Sequence, residues 1–114
     1  MARRDEGARS PLLPGILDML VLKTLTLGPL HGYGIARHIE QTSGDRLRIE
    51  EGSLYPALQR LQLQGWVTSR WETSPTSRRA RFYQLTRTGR QQLEEEASDY
   101  EKMVAAVAGV MQAT

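Results

Sequence analysis

The sequence predicts a mainly α-helical fold with one small β-hairpin and a long C-terminal helix. Three observations favour it: apolar residues recur at helical spacing in three short segments, two alternating segments flank a polar loop, and a heptad pattern runs towards the C-terminus. A length of 114 residues is typical of one domain. The chain contains no cysteine, which excludes disulfide bonds and thiolate zinc sites.

Proline and glycine delimit the first two helices. The first is predicted for residues 14–27, because its apolar pattern stops at a Gly-Pro pair. The second is predicted for residues 31–42, and Gly44 lies where a helix commonly ends. Residues 46–50, RLRIE, alternate between polar and apolar side chains and are a candidate for a very short strand.

The third helix has an inward face of leucines at i, i+4 and i+7, namely Leu54, Leu58 and Leu61. Gly65 lies where its C-terminal cap belongs. Two starts are compatible with the sequence. Ser53 can be the N-cap, or the helix can begin at Glu50-Glu51, where acids favour the positive end of the helix dipole. Either start makes Pro56 tolerable near the beginning of the helix.

A hairpin and a long helix complete the chain. The segments Trp66–Glu72 and Arg79–Leu85 alternate and are joined by a Ser/Thr/Pro loop, which predicts a hairpin with a basic tip. Thr86 then caps a helix that reaches about residue 112. Spacings of four and three along it form a heptad seam of Leu93, Ala97, Tyr100, Val104, Val107 and Met111.

The seam predicts a homodimer. A helix of this length spans roughly 40 Å, which is more than a body this small can cover. A second copy is the simplest partner for such a seam, and folding back onto the chain's own core is the alternative.

Three short helices followed by a hairpin is the element order of a winged helix-turn-helix. The second and third helices form the helix-turn-helix, and the hairpin forms the wing. Residues 11–86 are therefore predicted to be a DNA-binding domain, residues 87–114 a dimerisation helix, and residues 1–10, MARRDEGARS, a flexible basic arm.

The third helix of this fold enters the DNA major groove, so its outward residues are candidate contacts. Gln suits adenine, Arg suits guanine, Ser bonds either base and Tyr bonds phosphate. The candidates are Ser53, Tyr55, Gln59 and Arg60, with Gln62 beside them. Arginines outside this helix are candidates for the backbone or minor groove: Arg37 of the second helix and Arg78, Arg79 and Arg81 of the wing. The competing interpretations are an ordinary solvated helix and an edge strand protected by charge.

Charge agrees with a polyanionic partner. Residues 1–93 hold 14 basic and 8 acidic residues, whereas residues 94–114 hold 1 and 5. The sequence has no phosphate-binding loop, nucleophile motif or metal-ligand cluster, so we expect no enzymatic activity, cofactor or metal. Asp18 and Lys23 interrupt the apolar run near the N-terminus, which argues against a signal peptide or membrane span and favours a soluble, cytoplasmic protein.

Three blocks resemble the PadR family of bacterial transcriptional regulators: GILDMLVLKTLTLGPLHGYGIARHIEQ, GSLYPALQRLQLQGWV and RRARFYQLTRTGRQQL. The resemblance covers about residues 12–93, and the single last helix resembles the small subfamily. It implies a winged-helix homodimer that usually represses transcription, with the first helix packed on the partner's last helix. It also places Tyr33 and Tyr55 at the DNA face and the wing arginines on phosphates.

The resemblance further implies a small hydrophobic effector, because many relatives lose DNA affinity on binding an aromatic or drug-like molecule near the dimer interface. The sequence departs from the family pattern at Gly34, at Glu50-Glu51 and in a last helix without tryptophan. Trp66 and Trp71 are interpreted as packing residues of the wing.

The predicted function is a sequence-specific DNA-binding regulator, a homodimeric repressor acting on a palindromic operator. The alternative is a winged-helix module for protein–protein contact whose long helix binds a different chain.

Overall fold

The computed structural model describes residue 12, residues 14–73 and residues 75–114, so the predicted basic arm at residues 1–10 lies outside the described part. The elements are α1 (Pro14–Thr24), a 3₁₀ turn (Leu25–Leu27), β1 (Leu30–His31), α2 (Gly32–Thr42), α3 (Glu51–Leu63), β2 (Val67–Thr73), β3 (Arg79–Leu85) and α4 (Arg87–Gln112). The prediction of a mainly α fold with a small hairpin and a long last helix is confirmed. Within the described residues, no helix combines the length and apolarity needed to cross a bilayer.

The core forms where α1, α2 and α3 meet the base of the wing. Its largest fully buried side chains are Leu22, Ile35, Leu54, Leu58, Leu61, Val21 and Val67. The three leucines of α3 are among them, as their spacing predicted. Burial of each such side chain contributes about 1.5–3 kcal/mol, so these residues fix the rotation of α3 about its own axis.

The start of α3 resolves an ambiguity in the sequence. The helix begins at Glu51 with Glu50 as N-cap, so Ser53 as the N-cap is wrong. The backbone carbonyl of Glu50 accepts from the N–H groups of Ser53 and Leu54, at 3.0 and 2.9 Å. Pro56 is therefore the sixth residue of the helix, and the carbonyl that loses its donor belongs to exposed Gly52. Water can bind that carbonyl, which makes the proline tolerable.

The third strand is not the one that the sequence suggested. Residues 46–50 form no strand; instead β1 pairs antiparallel with β3, and the sheet order is β1-β3-β2. The loop at residues 46–50 is held partly by a side chain, since the Ile49 N–H donates to the Glu40 carboxylate at 2.9 Å. A two-residue strand after a Gly-Pro pair is too short to show any alternation.

The start of α4 is held against the turn that joins α3 to β2. The Thr86 hydroxyl accepts from the Gly89 N–H at 3.0 Å and donates to the Gly65 carbonyl at 2.8 Å. Thr86 is thus the helix cap, as predicted. Gly89 is buried, and a Cβ atom built there would lie 2.0 Å from the carbonyl oxygen of Trp66. Only glycine allows this approach, so the junction sets the direction of α4.

The heptad seam of α4 divides into two parts. Leu93 and Ala97 are half-buried, and Leu93 packs against the chain's own core. The later residues form an exposed row that we call the apolar stripe: Tyr100, Met103, Val104, Val107, Val110 and Met111. Tyr100 and Met103, at the inner end of the row, line a groove shared with α1, and the other four residues are 46–76% exposed. Packing of α4 against its own core, the alternative to dimerisation, therefore applies only to the first part of the helix.

The junction at Gly89 gives a stability prediction. Gly89→Ala should lower the free energy of unfolding by about 2 kcal/mol or more, because the new methyl group meets backbone that cannot move aside. Gly109→Ala is the matched control in the same helix. Nothing lies within 4 Å of a Cβ atom at that position, so it should raise stability by about 0.5–1 kcal/mol. Urea unfolding of both variants tests the pair, and a neutral Gly89→Ala would contradict the tight junction.

Candidate nucleic-acid interface

The outward face of α3 has a centre and two flanks. Helical geometry places Gln59 opposite the buried leucines, at the centre of the exposed face. Ser53 and Arg60 lie on the flank next to α1, where the Arg60 guanidinium contacts the Asp18 carboxylate at 2.8 Å. An exposed pair of this kind contributes roughly 0–1 kcal/mol. Arg60 can therefore exchange this partner for a base or phosphate at small cost.

Tyr55 and Gln62 lie on the other flank of α3, next to the wing. The Gln62 side-chain oxygen accepts a hydrogen bond from the Ser69 hydroxyl at 2.6 Å. Tyr55 is 45% exposed. Among the outward residues of α3, Ser53, Tyr55, Gln59 and Arg60 are all exposed, whereas Gln62 is bonded to the hairpin.

An open groove of about 660 Å³ lies between the wing and the N-terminal ends of α2 and α3. We call it the wing groove. It brings together five of the predicted contact residues, Tyr33, Tyr55, Arg78, Arg79 and Arg81, with His31, Gly32, Trp71, Ala80 and Tyr83. None of these lining residues is acidic. The combination of aromatic faces and arginines suits a sugar-phosphate backbone. Arg37, Ser53, Gln59 and Arg60 lie outside the groove.

The N-terminus of α2 forms one wall of the wing groove. His31 caps the helix, with its Nδ1 accepting from the Gly34 N–H at 2.9 Å. A Cβ atom at Gly34 would lie 3.2 Å from the His31 ring, so a small residue suits this cap. Tyr33 is 70% exposed in the first turn. Arg37 follows one turn later on the same side of the helix and is also exposed.

Tyr55 crosses from α3 towards α2 and packs against a glycine. A Cβ atom at Gly32 would lie 2.4 Å from the Tyr55 hydroxyl oxygen. The atom it meets is the end of a side chain, which can move without disturbing the backbone. Gly32 therefore determines where the Tyr55 hydroxyl lies and contributes little to the stability of the core.

The interpretation of the two tryptophans as packing residues is right for one and wrong for the other. Trp66 is half-buried and packs against the core. Trp71 is 53% exposed and faces the wing groove, where the guanidinium carbons of Arg79 and Arg81 lie 5.0 and 5.7 Å from its ring centre. Alternation alone could not have shown this, because Trp71 shares its face of the strand with buried Val67 as well as with half-buried Ser69.

Tyr83 forms the floor of the wing groove and is almost fully buried. Burial raises the pKa of its hydroxyl; neighbouring Arg81 lowers that pKa in part, and Tyr55 raises it. With its pKa raised in this way, the hydroxyl is protonated at neutral pH. The floor of the groove is therefore neutral, and three arginines line the groove around it.

The described residues include no group of three or more His, Asp or Glu side chains that could hold a metal ion.

Known proteins identify the family. The model of the transcriptional regulator PadR-like family matches residues 21–95. The chain belongs to the PadR-like family of transcriptional regulators. Members of this family regulate transcription, and the predictions of family and fold are confirmed.

Two relatives are similar to this chain over about two thirds of its length. The negative transcriptional regulator PadR of Bacillus subtilis (strain 168) is 30% identical over 78 residues, which are 68% of this chain and 43% of that protein. A 37.1 kDa protein in transposon Tn4556 of Streptomyces fradiae is 49% identical over 80 residues, 70% of this chain and 21% of that protein. The chain thus spans less than half the length of these two relatives.

Solved structures share most of this fold. A PadR family transcriptional regulator from Eggerthella lenta DSM 2243 has a TM-score of 0.76 at 27% identity, covering 88% of this chain and 85% of the other. A transcriptional regulator from Clostridium thermocellum has a TM-score of 0.77 at 25% identity, covering 83% and 92%.

The Gly32–Tyr55 contact can be tested by adding one methyl group. Gly32→Ala should displace the Tyr55 hydroxyl and weaken DNA binding by roughly tenfold, the value of one hydrogen bond to a charged group. The free energy of unfolding should change by less than about 1 kcal/mol, because only a side-chain end must move. Fluorescence anisotropy with labelled duplex DNA measures the first effect, and urea unfolding measures the second.

The control for Gly32→Ala is the same change in a Tyr55→Ala background. There the added methyl group has nothing to displace, and DNA affinity should not fall further. An equal loss in both backgrounds would show that Gly32 acts in some other way.

Proposed function

We propose that this regulator is a homodimeric repressor that binds a palindromic operator through two copies of α3 and the wing, and that a small hydrophobic effector releases it. The observation that supports the proposal is that the same chain has two separate surfaces, each suited to a different partner. The wing groove and the outward face of α3 suit DNA, and the apolar stripe of α4 suits a second copy. Residues 11–86 would then form the DNA-binding domain and residues 87–114 the dimerisation helix.

The DNA side of the proposal uses two kinds of contact. Ser53, Tyr55, Gln59 and Arg60 would enter the major groove on α3 and meet base edges. Tyr33 and Arg37 on α2, with Arg78, Arg79 and Arg81 on the wing, would bind the backbone on either side. Charge supports this division, because the lining of the wing groove contains arginine but no acid.

The dimer is supported by the exposure of the apolar stripe. Val104 is 46% exposed and Met111 is 76% exposed in the single chain. Apolar residues at four-and-three spacing on one helix are typical of a helix–helix interface. We propose that Leu93 and Ala97, at the inner end of the seam, join the interface while they also contact their own domain.

Repression is supported by a relative. The Bacillus subtilis protein is named as a negative regulator, and its similarity covers most of this chain. In a bacterial cell, a repressor that binds DNA would act in the cytoplasm.

A second groove supports the effector. It has a volume of about 390 Å³, lies between α1 and α4, and is lined by Gly15, Ile16, Met19, Glu96, Asp99, Tyr100 and Met103. Its lining is mainly apolar, and it adjoins the apolar stripe. A bound hydrophobic molecule would therefore act where α1 meets the proposed dimer interface. Loss of operator binding on addition of such a molecule, measured by anisotropy, is the expected result.

Selection of bound duplexes from random DNA tests the operator. We expect two inverted half-sites whose centres are separated by one helical turn, ~34 Å, because a twofold dimer presents two reading helices at that spacing. Transcription in vitro from a promoter that overlaps the selected site should fall when the protein is added. Enrichment of no sequence would instead favour a protein–protein interaction module, and increased transcription would contradict repression.

The dimer interface is tested at its centre. Val104→Glu would bury two carboxylates in the seam, and we expect the dimer dissociation constant to rise by roughly a hundredfold or more. Operator affinity should fall with it. Ala105→Glu is the matched control, because residue 105 lies on the opposite side of α4 and is exposed. Sedimentation velocity distinguishes the outcomes, and a full Val104→Glu dimer would exclude the seam.

A further inference from the structure

We infer that Trp71 is a positioning residue that holds the guanidinium groups of Arg79 and Arg81 in place for phosphate, and that Ser69 and Gln62 link this arrangement to α3. The inference rests on the proposed contact between the wing and DNA. It assigns a role to a large exposed aromatic side chain that neither packs in the core nor belongs to the predicted reading face.

The register of the hairpin puts these side chains on one face. Trp71 lies directly opposite Arg81, and the neighbouring pair on that face is Thr73 opposite Arg79. Arg79 is therefore diagonal to Trp71, and both arginines are within reach of its ring. Their guanidinium carbons lie 5.0 and 5.7 Å from the ring centre, within the range of cation–π attraction.

A hydrogen-bonded chain continues from Arg81 to α3. The Arg81 Nε–H donates to the Ser69 hydroxyl at 2.9 Å. That hydroxyl in turn donates to the Gln62 side-chain oxygen at 2.6 Å. The wing arginines and the proposed major-groove helix are thus connected by side chains as well as by backbone. Gln62 positions the wing in this arrangement and does not read a base.

The geometry leaves the donors of both arginines available. A guanidinium that lies over an aromatic ring uses its flat face and keeps its in-plane N–H groups for other partners. Among the described residues, Arg81 donates through its Nε–H, to Ser69. Because arginine has many rotamers, holding it before DNA arrives removes part of the ordering penalty of binding. Trp71 therefore raises affinity without itself contacting DNA.

A thermodynamic cycle tests this role. Trp71→Ala should weaken binding by roughly five- to thirtyfold at a fixed salt concentration, from the loss of two cation–π contacts. Trp71→Phe should recover part of that loss, because the smaller ring still attracts cations. In an Arg79→Ala/Arg81→Ala background, Trp71→Ala should cause no further loss. The probe is the tightest duplex recovered from random DNA, with a scrambled duplex of equal composition beside it.

Two further measurements separate positioning from contact. The slope of log affinity against log salt should fall by about 1.8 in the double-arginine variant, since each neutralised phosphate contributes about 0.9. Ser69→Ala should interact energetically with Arg81→Ala and not with Arg79→Ala. The matched control is Arg70→Ala: Arg70 is in the same hairpin, on β2, but on the opposite face, where its partners are Glu72 and Gln84.

The outcomes distinguish failure of the inference from failure of the proposed function. If wild-type protein binds the selected duplex and Trp71→Ala weakens it equally with and without the two arginines, Trp71 does not act through them and the inference is wrong. If Arg70→Ala matches the double-arginine variant in its salt slope, the wing groove is not the contact surface. If the wild-type protein shows no preference for the selected duplex, the proposed function itself fails.

Discussion

The burial of one leucine face organises this protein. Leu54, Leu58 and Leu61 are completely enclosed between α1, α2 and the base of the wing. Rotation of α3 would expose them and lose several kcal/mol of apolar burial. The same burial therefore determines which side chains point outward, with Gln59 at the centre and Tyr55 and Arg60 on opposite flanks. The DNA-facing surface is a consequence of the core.

The wing groove depends on two glycines whose backbone lies close to neighbouring side chains, and on the aromatic ring of Trp71. Gly32 makes room for the Tyr55 hydroxyl, and Gly34 lies close to the His31 cap. The guanidinium groups of Arg79 and Arg81 lie over the Trp71 ring on the groove side of the hairpin. These are small, local contacts at the surface, where each contributes little to folding. Their proposed value lies in arranging charge and aromatic faces before DNA arrives.

The junction at Gly89 links this surface to the long helix. Because α4 starts in contact with the Trp66 carbonyl, its direction follows that of the hairpin. In the proposed dimer, the same contact would set the separation between two reading helices. A change at the apolar stripe or in the groove between α1 and α4 would then reach the DNA face through a rigid connection.

The sequence by itself determined the elements that have strong periodicity. The third helix, the strand Arg79–Leu85 and the Thr86-capped last helix follow from leucine spacing, alternation and capping residues within a few positions of one another. Resemblance in three blocks indicated the family correctly. The contact residues Tyr33, Arg37, Ser53, Tyr55, Gln59, Arg60, Arg78, Arg79 and Arg81 stay predictions. Only the tertiary structure decided that Ser53 is not the cap, that Leu30–His31 is the third strand and that Trp71 faces the groove. The α3 cap is local, but two starts suited the sequence equally well. For the strand and the tryptophan the physical reason is range: the pairing of a two-residue strand and the partners of an aromatic face depend on groups distant in sequence, whereas periodicity is local.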